Sequence, residues 1–109
     1  MKFWLLAAST LVGIAAPSAE AAEPSSQVEA GRHALETRCS RCHAIGLTGA
    51  STHATAPPFR EIVMRYPPED LEESLAEGIT SGHPDMPEFI LAPDEIAAVI
   101  AYLHTLSGP

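Results

Sequence analysis

Apolar residues recur at helical spacing in four stretches of the chain. Val28, Gly31, Ala34 and Leu35, continued by Arg38 to Cys42, follow steps of three and four, which predicts a first helix. Ser26 fits its N-cap and Glu29 completes a capping-box pattern, while Gly46 and Gly49 place its end near Ala44. Residues 45–58 show no periodicity and read as a long loop, a length that in a small domain is usually functional or wrapped around something. A short helix follows, with Phe59, Ile62, Val63 and Tyr66 on one side and Met64 as core filler. Pro67 and Pro68 end it and open a third over 69–77, with Leu71, Leu75 and Ile79 as its stripe and Glu69 and Asp70 complementing its dipole. After a Gly- and Pro-bearing loop over 78–92 comes the clearest helix, with Pro93 at its first position and Ile96, Val99, Ile100, Leu103 and Leu106 in phase. No strand pattern, internal repeat or low-complexity segment appears. The pattern predicts an all-α domain of three to four helices.

The apolar run at the start obeys a different logic. Lys2 precedes an almost unbroken stretch from Phe3 to Ala16, and Ala19-Glu20-Ala21 supplies the small-x-small pattern of a signal-peptidase site. The run falls short of the roughly 20 residues a membrane-spanning helix needs. Residues 1–21 are therefore expected to be a cleaved signal peptide and 22–109 a single exported domain.

Charge narrows the partners. The chain carries a net charge of −8, and the mature part keeps it, which disfavours nucleic acid and anionic membrane surfaces. A protein partner with a basic docking face fits, and solubility alone is the other account of the charge. A domain this small commonly leans on a disulfide, metal or cofactor.

Both cysteines lie in Cys39-Ser40-Arg41-Cys42-His43. A bridge between residues so close restrains little of the unfolded chain. A thioredoxin-like site needs a βαβ setting, and a zinc site needs ligands that no second cluster provides. On a helix, positions i, i+3 and i+4 share a face, so two thiols and an imidazole project together. C-x-x-C-H is the pattern of c-type haem attachment, with Cys39 and Cys42 as thioether anchors and His43 as an axial ligand of the iron. For the other axial position, Met86 is favoured because it lies in the loop "GHPDMPEF", where no helical stripe demands an apolar side chain. His83 is its rival, and an open position is the third reading.

With these residues assembled, Val28 to Leu106 resembles a small class I bacterial cytochrome c with one haem c per chain. The resemblance implies that the first and last helices cross closely at Gly31 and Tyr102. It implies that a proline carbonyl in the loop after the haem motif accepts a hydrogen bond from the axial histidine, with Pro57 in that role and Pro58 beside it. Ala56 stands where relatives commonly have glycine, and the only tryptophan, Trp4, leaves with the signal peptide. Arg60, Arg65 and Tyr66 are available to the haem propionates without one being preferred. An iron held by His43 and Met86 has no exchangeable position, so the expected function is that of a monomeric periplasmic one-electron carrier and not an enzyme. A haem protein that binds ligands or peroxide at a displaceable sixth position is one alternative. A fixed cytochrome subunit of a dehydrogenase complex is another.

Overall fold

Four helices make up the regular structure: α1 (Pro24–Arg38), α2 (Phe59–Arg65), α3 (Pro68–Glu77) and α4 (Pro93–Leu106). The computed structural model describes residues 3, 7–16, 24–78, 83–88 and 90–108, and no strand occurs among them. Each helix starts at a proline or directly after one, since α2 has Pro58 at its N-cap position. Proline lacks the amide hydrogen that a first-turn residue leaves unpaired, and its fixed φ suits helix entry. Pro24 therefore begins α1 two residues before the expected Ser26 cap. Glu29 pairs with Arg32 at 2.5 Å.

The end of α1 also differs from expectation. The amides of Cys39 and Ser40 both donate to the Leu35 carbonyl, at 2.7 and 3.0 Å. The Ser40 hydroxyl takes the Glu36 carbonyl that its amide would have used. Side-chain competition for a backbone acceptor stops the ladder at Arg38, six residues before Ala44. The Cys39–His43 stretch is thus a turn following the helix, closed by Cys42 and His43 amides on the Cys39 carbonyl at 3.1 and 2.9 Å.

In α2 only Val63 is buried, and Met64 is 83% exposed, so it faces solvent and does not fill the core. Tyr66, just past the helix, is more than half exposed. In α3 Leu75 is buried and Leu71 half-buried. Ile79, assigned to the same stripe, lies outside the described residues, as does the expected cleavage site. Gly78 caps α3 with φ +99°, a conformation L side chains rarely adopt. The chain returns at Leu91, whose amide donates to the Leu75 carbonyl at 3.2 Å.

α4 organises the domain by packing against the other three helices. Its buried side chains include Ile96, Val99, Tyr102, Leu103 and Leu106. It meets α1 where a Cβ on Gly31 would lie 1.9 Å from the Ala98 carbonyl oxygen and 2.9 Å from Tyr102 Cβ. The contact between Gly31 and Tyr102 implied by the family resemblance is present, and only glycine permits it. The Tyr102 hydroxyl donates to the Ile45 carbonyl at 2.6 Å, tying α4 to the loop after the cysteine turn. Tyr102→Phe removes that bond and leaves the shape unchanged; it is expected to cost about 1 kcal/mol in a denaturant titration of the holoprotein. A cost below the error of the titration would show that the bond contributes nothing net.

Candidate functional site

The helices leave between them a cavity of about 760 Å³, within the range of small-molecule and cofactor sites, roughly 300–1,000 Å³. Its walls are mostly apolar and include Leu35, Val99 and Leu103, the most deeply buried side chains of the core. Core and cavity are therefore one feature. Whatever occupies the cavity completes the packing of α1, α3 and α4.

Cys39, Cys42, His43 and Met86 all line this cavity. The turn after α1 supplies the first three, so their common direction survives the loss of helix. Both thiols are free. Burial pushes the Cys39 thiol up to about 11, against the opposing pull of the Arg38 guanidinium. A thiol that stays protonated at neutral pH lacks the lowered pKa of a redox-active dithiol. Among the described residues no group of three or more His, Cys, Asp and Glu side chains is arranged to hold a metal ion.

His43 is fixed in orientation. Its Nδ1 lies 2.7 Å from the Pro57 carbonyl oxygen, and a carbonyl can only accept. Nδ1 therefore carries the proton, and Nε2 keeps its lone pair for another partner. Phe59 packs against the imidazole with ring centroids 5.3 Å apart. The loop over 45–58 is held against the cysteine turn by several bonds. Thr52 Oγ1 donates to the Arg41 carbonyl at 2.5 Å, Ser51 Oγ accepts from the Ala44 amide at 2.9 Å, and Phe59 N–H donates to the Ala44 carbonyl at 2.9 Å. This long loop thus wraps the cysteine turn and delivers Pro57 to His43.

Met86 is half-buried and sits in a turn closed by its amide on the His83 carbonyl at 3.2 Å. Of the three residues considered for propionates, Tyr66 lines the cavity, Arg60 reaches the Gly46 carbonyl at 3.5 Å, and Arg65 is exposed. Sequence reasoning missed a polar cluster at the cavity wall. His53 and Thr55 from the loop meet His83 and Asp85 beside Met86. The available signal was the placement of "THAT" and "HPDM", two short runs of hydrogen-bonding side chains, each next to a stretch already singled out.

Two thiols and an imidazole with a free Nε2, facing a large apolar cavity walled by helices, fit a covalently attached haem. The class so defined is a small all-α c-type haem protein. Residues 28–107 match the family described as Cytochrome c, and the chain belongs to the cytochrome c family. No curated protein and no solved structure matches the chain. The family's cofactor is haem c, covalently bound and one per chain in its small members, and its function is haem-based electron transfer.

Proposed function

We propose that this cytochrome is an exported, periplasmic one-electron carrier whose iron is held by His43 and Met86, with Cys39 and Cys42 as the thioether anchors. The observation that carries this reading is the His43–Pro57 bond, which turns a protonated Nδ1 away and leaves Nε2 available in a cavity that Met86 also lines. Bound haem supplies an Fe(III)/Fe(II) couple. The chain's own residues do the rest. Pro57 holds the imidazole in one tautomer and one orientation. The Met86 thioether, a soft donor, favours the ferrous state and raises the potential relative to a second histidine. Leu35, Val99 and Leu103 exclude water around the ring. Packing around both ligands keeps the coordination the same in both oxidation states, so little rearranges when the electron moves.

Export is supported by the apolar segment at the start of the chain. Residues 7–16 are exposed and form no helix or strand, with Leu11 and Ile14 more than 90% exposed. Among the described residues no helix is long and apolar enough to cross a membrane. The partners in this reading are redox proteins that meet the monomer in short-lived encounters. The net charge of −8 favours partners with a basic docking face.

Met86→Ala tests the ligand assignment. The variant is expected to keep its haem, because both anchors remain, and to lose the far-red charge-transfer band of thioether-ligated ferric haem. Its potential should fall. An unchanged band would remove Met86 from the iron and make the carrier reading depend on another ligand such as His83.

A further inference from the structure

The polar cluster beside the cavity joins the two loops from which His43 and Met86 are positioned. On one side, the His53 amide donates to the Cys42 carbonyl at 3.2 Å, which fixes His53 to the cysteine turn. On the other, His83 and Asp85 belong to the turn that presents Met86. The Thr55 amide donates to His53 Nδ1 at 3.2 Å, so Nδ1 is the unprotonated nitrogen. His53 Nε2 then carries the proton and donates to Asp85 Oδ2 at 3.1 Å. A neutral imidazole makes this bond, and no charge on His53 is needed. A second link runs through Thr55 Oγ1, which lies 3.0 Å from His53 Nδ1 and 3.0 Å from His83 Nε2. The two histidine rings meet edge to face with centroids 5.7 Å apart. All four side chains line the cavity.

Residues 83–88 lie outside the four helices, in a turn closed by the Met86 amide on the His83 carbonyl. Side-chain links to residues 53–55 therefore connect this turn to the rigid, wrapped loop.

We propose that His53 and Thr55 are positioning residues that strap the Met86 turn across the haem site and so set how readily an outside ligand displaces Met86. This rests on Met86 as an iron ligand. The strap does not touch the iron. It acts on the fraction of molecules in which the turn has swung away, and an outside ligand binds only that fraction. Its apparent affinity scales with the open fraction. Losing one or two partly exposed hydrogen bonds of ordinary strength raises that fraction by about tenfold.

The test is a titration of the ferric holoprotein with imidazole, followed through loss of the far-red band, for the parent, His53→Ala, Thr55→Val and Tyr102→Phe. His53 and Thr55 lie on the loop across the cavity from Met86, and their side chains meet its turn at Asp85 and His83. Tyr102→Phe removes the bond from α4 to the start of the same loop while leaving the strap's own bonds in place, and serves as the control for general loosening. The expected result is a normal band without imidazole in every variant, imidazole affinity about tenfold tighter in His53→Ala and Thr55→Val, and parent-like affinity in Tyr102→Phe. Parent-like affinity in both strap variants, or an equal rise in the control, overturns the strap while leaving Met86 as ligand. Absence of the band in the parent overturns the ligand assignment and the strap with it.

Discussion

Gly31→Ala is expected to destabilise the holoprotein by at least about 2 kcal/mol, although alanine is the better helix former by about 1 kcal/mol. The added Cβ would stand 1.9 Å from the Ala98 carbonyl oxygen, 2.5 Å from its carbonyl carbon and 2.9 Å from Tyr102 Cβ. None of these atoms can be moved by a side-chain rotation, so α1 has to lift away from α4. Overpacking typically costs about 1–3 kcal/mol, and neighbours this rigid and this close place the cost at the upper end or above it. Separation of the two helices would also pull Leu35 from Val99 and Leu103, which wall the cavity, and strain the bond from Tyr102 to Ile45. Denaturant unfolding of parent and variant, read by far-ultraviolet circular dichroism, measures the difference. A variant as stable as the parent would contradict the close crossing of α1 and α4.

The second large effect concerns the chain without haem. Mature protein produced without haem attachment is expected to be largely unfolded. The cavity of about 760 Å³ shares its walls with the centre of the core. At about 24 cal/mol per Å³ of cavity, leaving that volume unfilled and closed would cost roughly 18 kcal/mol, against the 5–15 kcal/mol that typically holds a domain together. Water entering through the mouth lowers this ceiling, but water against Leu35, Val99 and Leu103 removes the burial that the core supplies. Circular dichroism of the apoprotein should show little helix and no cooperative thermal transition. A helical, cooperatively melting apo form would contradict the identity of core and cofactor site.

Helix order was legible because periodic apolar residues mark the buried faces and prolines mark the starts of the third and fourth helices, most clearly along Pro93 to Leu106. The cysteine motif was legible because its residue types and spacing answer one chemical demand. The break after Arg38 was not, since it depends on Ser40 taking the Glu36 carbonyl, a local competition that apolar periodicity does not record. Helical spacing misplaces Met64 in the core for a related reason. Seven residues of α2 make about two turns, too few for a pattern to decide between Val63 and its neighbour. His53, Thr55, His83 and Asp85 are polar residues in aperiodic loops separated by about thirty positions, and only the folded chain brings them together.

In the proposed function the iron is closed between His43 and Met86 and so exchanges electrons alone. The most direct measurement is the absorption spectrum of the purified holoprotein, first oxidised, then reduced and exposed to carbon monoxide. The expected result is a far-red charge-transfer band in the ferric form and a ferrous spectrum that carbon monoxide leaves unchanged. A ferric form without that band, together with immediate carbon monoxide binding, would contradict the claim and identify a ligand-binding haem protein instead.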